Sequence, residues 1–95
     1  MNTEIDGINI KTEAEFHAAI SRALSLPARY GRNLDALFDV LSGDVERPIV
    51  LVWKNSSISE SSMGDGFERI VNVLRKIERQ DIEWDLDEIF ELRLN

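Results

Sequence analysis

The segment RPIVLVWK, residues 47–54, narrows the possible folds of this chain more than any other. From Pro48 to Trp53 its apolar positions run without a polar break, where a strand wet on one face would alternate apolar with polar residues. Near-continuous apolar strands belong to parallel sheets covered on both faces. We therefore read 47–54 as a central parallel strand. Its parallel neighbours cannot be joined to it by tight hairpins; each requires a crossover of a dozen or more residues, usually helical and right-handed.

The flanking sequence supplies those crossovers. TEID, ended by an Asp6-Gly7 turn and followed by INI, reads as a first short strand with a bend. Thr12 and Glu15 have the spacing of a capping box, and Phe16, Ala19, Ile20 and Leu24 recur at helical intervals. Pro27 disfavours a helical Leu26, so this helix ends near Ser25. PARYG makes a tight turn, Asn33 caps the next helix, and Gly43 suits the position just past its end. NSSISESSMGDG, residues 55–66, reads as a mobile connection with room for a turn of helix, the loosest part of the protein. Phe67, Ile70, Val71, Leu74 and Ile77 then form the stripe of a final helix reaching about Arg79, and EIFELRL alternates as a half-buried strand. The expected order is strand, helix, short helix, helix, strand, helix, strand. It describes an α/β fold, a three-stranded parallel sheet packed with about four helices, as one domain over residues 1–95.

Composition removes several function classes. With no cysteine there are no disulfides, no thiolate chemistry and no cysteine-ligated metal site. No apolar run approaches the ~20 residues that span a bilayer, and the N-terminal residues lack the pattern of an export signal, so the expected location is the cytoplasm. Eighteen acidic against 11 basic side chains leave a net charge of -7, a field that repels nucleic acid and anionic membranes and draws in basic partners. The acidic run of residues 78–91 is read as solvated surface. His17, with neither a cysteine nor a second histidine to join it, is read as a surface or helix-boundary residue, not a metal ligand. Trp53 is placed at the edge of the core, and Trp84 is divided between core and surface. GDGFER lacks the spacing and the Lys-Ser/Thr ending of a phosphate loop.

The chemistry concentrates in YGRNLDALFDVLSG, residues 30–43. On a helical wheel Leu34, Leu37 and Leu41 form a docking stripe, Asp35, Asp39 and Ser42 cluster opposite, and Phe38 lies on the border. Asp35 gains from the helix dipole in the first turn, but Asp39 lies beyond it. Like charges at this spacing cost an isolated helix roughly 0.2–0.5 kcal/mol. The pair rises about 6 Å along one face and imitates successive phosphates of a nucleic-acid strand.

Residues 26–54, LPARYGRNLDALFDVLSGDVERPIVLVWK, resemble the barstar family of intracellular ribonuclease inhibitors, most specifically in the Tyr-Gly-x-Asn-Leu-Asp-Ala-Leu-aromatic-Asp motif. Tyr30, Gly31, Asn33, Leu34, Asp35, Ala36, Leu37 and Asp39 match its pattern, and Phe38 stands in place of a tryptophan. The resemblance implies a non-enzymatic inhibitor whose acidic helix, Asn33 to Ser42, and preceding loop cover a ribonuclease active site. The partner-binding residues it implies are Tyr30, Gly31, Asn33, Leu34, Asp35, Phe38 and Asp39. The expected partner is a basic ribonuclease or similar cationic protein, with no direct nucleic acid, no membrane contact, no cofactor, and a monomer when free. The chain departs from the family's type member at Lys76, Arg32 and Asp44, and a longer link over QDIEWDLDEIF brings extra acids and Trp84 near the sheet edge. An acidic module of the same fold for a different basic protein or toxin is the alternative that Arg32 and Lys76 favour. An acid/base pair of the glycosidase kind would instead need a cleft, with the carboxylates flanking a bond.

Overall fold

The computed structural model describes residues 2–95. β1 (Asn2–Asp6) leads through a 3₁₀ turn (Gly7–Asn9) to α1 (Glu13–Ala23) and α2 (Leu34–Gly43). β2 (Ile49–Lys54), α3 (Ser56–Met63), α4 (Asp65–Glu83) and β3 (Phe90–Leu94) complete the chain. The three strands form one parallel sheet in the order β1-β2-β3, with β2 central. Crossovers of one hand in a sheet of that order bring all the helices to the same face. No described helix is long and apolar enough to cross a membrane.

That arrangement corrects the expectation of a sheet covered on both sides. Ile49, Leu51 and Trp53 of β2 are buried under the helices, whereas Val50 and Val52 are only half-buried on the open face. Register sets Val50 between Asn2 and Glu91, and Val52 between Glu4 and Arg93. Ion pairs Lys54–Glu4 at 3.9 Å and Arg93–Glu91 at 2.7 Å join neighbouring polar side chains there. Glu4, Glu91 and Arg93 thus flank the two valines, and the stems of such long charged side chains cover apolar surface while their heads stay in water, so the open face stays tolerable without a second layer. The β-branched valines hid the alternation, because they suit a half-buried strand surface as well as a core.

Thr12 and Glu15 cap α1: the Glu15 N–H donates to Thr12 Oγ1 at 3.1 Å, and the Glu15 carboxylate reaches back to the Lys11 N–H at 2.9 Å. The helix ends where expected, in a left-handed Ser25 (φ 52°) whose turn lets the Leu26 N–H donate to the Ser21 carbonyl at 2.9 Å. Trp53 is fully buried, stacked on Phe16 and tilted against Phe67, with ring centroids 5.2 and 5.0 Å away. It is a centre of the core, not its edge.

The short helix lies elsewhere than expected. Residues 27–30 form a turn closed by the Tyr30 N–H on the Pro27 carbonyl at 2.9 Å, and the serine-rich segment taken for a loose connection is α3. Its buried serines have distant partners. Ser56 Oγ donates to the Asn95 carbonyl at 3.0 Å, Ser59 Oγ donates to the Gly7 carbonyl at 3.3 Å, and the Trp53 indole N–H donates to Ser59 Oγ at 3.2 Å. Gly7 is required here, since a Cβ at that position would fall 2.1 Å from the Asn55 carbonyl oxygen.

α4 also runs beyond Arg79, to Glu83, and closes in a left-handed Asp85 (φ 54°) with the Leu86 N–H donating to the Asp81 carbonyl at 3.2 Å. Asp81 falls on the buried stripe set by Phe67, Ile70, Leu74 and Ile77. Part of the acidic run is thus structural. The Asp81 carboxylate accepts from Arg47 Nε at 2.8 Å and from the Phe90 N–H at 2.7 Å. Arg47 also donates to the carbonyls of Leu41 and Val45 at 2.6 and 2.9 Å. One ion pair therefore joins the end of α2, the approach to β2, α4 and the start of β3.

Candidate functional site

α2 begins where Asn33 Oδ1 accepts from the Ala36 N–H at 2.8 Å, as the sequence implied. Leu37, Val40 and Leu41 are the buried residues that hold it to the core; Leu34 and Phe38 are half-buried at the border. Val40 therefore joins the docking stripe read from the wheel, of which Leu34 packs on the core only partly buried. Gly43 is the last helical residue rather than a left-handed cap, and the Asp44 N–H bonds to the Val40 carbonyl at 2.9 Å. Ser42 was expected beside the carboxylates; its hydroxyl oxygen instead turns inward and has no hydrogen-bond partner among the described residues.

Asp35 and Asp39 are both exposed. Among the described residues neither takes part in an ion pair or a side-chain hydrogen bond. Asp39 stands on a ridge between two shallow depressions. One, of about 180 Å³, is lined on the loop side by Pro27, Arg29, Tyr30, Gly31 and Asp44. The other, of about 420 Å³, lies toward α4 and includes Leu34, Asp35, Phe38, Val73 and Lys76. Lys76 Nζ sits 5.1 Å from the centroid of the Phe38 ring, a cation–π contact worth about 0.5–1 kcal/mol at an exposed site. A further depression, about 450 Å³, lies between β1 and α1 and contains none of these residues.

The loop before α2 is held from beneath. Tyr30, expected to face a partner, is 8% exposed. Its hydroxyl meets Nδ1 of the buried His17 at 2.5 Å, while His17 Nε2 lies 3.1 Å from the Glu13 carboxylate. The carboxylate can only accept, so Nε2 carries a proton, and in the neutral imidazole Nδ1 then accepts from the tyrosine. Burial, then the Glu13 charge, push the Tyr30 phenol far above its ordinary range and keep it a donor. His17 is therefore an internal anchor and not a surface residue; its place beside Phe16, three before Ile20, was the available sign. Arg32 adopts a left-handed backbone (φ 55°), and Gly31 lets the loop approach α2, since a Cβ there would lie 3.2 Å from that of Ala36. Arg29 is spent on Asp44 at 3.1 Å, outside the carboxylate pair.

These features define a small α/β protein that presents an acidic, pre-capped helix outward, its two carboxylates lining an open depression. The model of the family described as Barstar (barnase inhibitor) matches residues 1–94. A protein of Bacillus subtilis (strain 168) named "Putative ribonuclease inhibitor YrdF" is 34% identical over 76 residues, covering 80% of this chain and 84% of that protein. The chain belongs to the barstar family.

Proposed function

We propose that this protein inhibits a basic ribonuclease by laying α2 and the loop before it over the cationic active site of the enzyme, in competition with RNA. The observation that carries this reading is the exposed, internally unpartnered pair Asp35 and Asp39 on a helix fixed by Asn33 at its start and by Leu37, Val40 and Leu41 beneath. Membership in the barstar family and the name of the B. subtilis relative support it. A ribonuclease groove must hold phosphates with cations, and carboxylates of fixed geometry meet such cations through charge-assisted hydrogen bonds. Because α2 is ordered before it binds, little conformational entropy opposes association. Leu34 and Phe38 exclude water beside the charged contacts, Asn33 and Gly31 shape the loop, and Tyr30 anchors it from below.

The test is titration of barnase and other purified basic bacterial ribonucleases with the wild-type chain and with Asp39→Ala. Inhibition that weakens with salt, and that falls about tenfold to a hundredfold in Asp39→Ala, is expected from loss of a charged hydrogen bond. Failure of the wild type to inhibit any of these enzymes, or an unchanged Asp39→Ala, refutes the reading. Recovery of only other basic proteins by salt-eluted affinity capture would point instead to an acidic module for a different partner.

A further inference from the structure

The face that carries the carboxylates also carries charge of the opposite sign. Lys76 lines the depression that holds Asp35 and Asp39, yet it forms no ion pair among the described residues. A second open depression, about 290 Å³, begins at Lys76 and continues along α4 past Arg79, Gln80 and Glu83 to Trp84, so that two cations and one acid line it. Arg79 is likewise exposed and without an ion pair among the described residues. Trp84, at the C-terminal end of α4, is 65% exposed, the largest exposure of any large apolar side chain described. Positions 76, 79 and 80 lie within one turn on one face of the helix, and 83 and 84 continue it.

Cations in this place work against a surface that receives only cations, because like charges brought together across an interface cost several kcal/mol in affinity and suppress that pairing. Tryptophan and arginine are also the residue types enriched at the centres of protein interfaces. We infer that the interface is bipolar. α2 gives its carboxylates to the cations of the ribonuclease groove, while Lys76, Arg79 and Trp84 receive an aspartate- or glutamate-bearing border of the same groove. This inference rests on the inhibitor reading and narrows it: the target is a ribonuclease whose positive groove has an acidic rim, and enzymes with a uniformly basic rim are rejected.

The test measures inhibition of the ribonuclease that the wild type inhibits best, with barnase first in the panel, by Lys76→Glu, Arg79→Glu and Trp84→Ala. Thermal unfolding confirms that these exposed substitutions leave the fold intact. Each variant is expected to inhibit about tenfold less well or worse. Reversing an acidic rim residue of the ribonuclease to lysine should recover much of the loss in Lys76→Glu or Arg79→Glu. Equal or stronger inhibition by both charge variants, with Asp39→Ala still defective, overturns the bipolar interface and leaves the inhibitor reading standing. No inhibition of any basic ribonuclease by the wild type removes both. A wild-type dimer in sedimentation that Lys76→Glu disperses also overturns the inference, because the patch would then receive the exposed acids Asp85, Asp87 and Glu88 of a second copy.

Discussion

Asp81 and Arg47 meet at 2.8 Å across 34 positions of sequence, and the side chain of Asp81 is almost wholly buried. Burial alone would raise the Asp81 pKa; hydrogen bonds from Arg47 and the Phe90 N–H outweigh it and hold the carboxyl below its ordinary range. A carboxylate depressed in this way contributes stability that is complete above its unfolded pKa, about 3.9, and lost as pH falls through the folded value. Asp81→Ala leaves the Arg47 charge buried and unpaired, which is expected to cost about 3 kcal/mol at neutral pH. Chemical denaturation at pH 7 and pH 3 checks this: the gap between wild type and variant should shrink at the lower pH.

The binding role proposed for Asp39 can be tested apart from folding. Since this carboxylate has no internal ion pair and its helical neighbour Asp35 bears the same charge, Asp39→Ala should leave stability within about 0.5 kcal/mol of wild type. Thermal unfolding provides the measurement. A large loss would show that Asp39 supports the fold.

Tyr30→Phe keeps the ring and removes the donor to His17. The imidazole Nδ1 is then left buried without its partner, and a loss of about 1–2 kcal/mol is expected in chemical denaturation. The loop of residues 27–32 should also exchange its amide hydrogens faster, since its main tie to α1 is gone.

Gly7→Ala drives a Cβ into the Asn55 carbonyl at 2.1 Å, and this backbone atom cannot turn aside. Overpacking of this kind is expected to cost about 3 kcal/mol. Amide exchange should locate the damage in α3, whose Ser59 hydroxyl bonds the Gly7 carbonyl.

Reading from sequence succeeded where the cause was local. Asn33 marked the start of α2 because capping needs only the next three residues, and β2 declared itself through its own composition. The exposure of Asp35 and Asp39 followed from helical periodicity alone. Failures lie where a distant residue decides the outcome. α3 looked like a polar linker because the groups that satisfy Ser56 and Ser59 come from Asn95, Trp53 and Gly7. His17 could not be placed without Tyr30, nor Asp81 without Arg47, although each falls on the buried stripe of its own helix. Tyr30 fits the family motif, but its burial and its bond to His17, which hold the loop before α2 from beneath, were not legible there.

The proposed interface can be mapped directly by amide chemical shifts of the isotope-labelled chain as an unlabelled ribonuclease is added. Perturbations centred on residues 30–42, and extending across Lys76 on α4, are the predicted result. Shifts gathered on the open sheet face around Val50, Val52 and Arg93, with residues 30–42 unmoved, would contradict it.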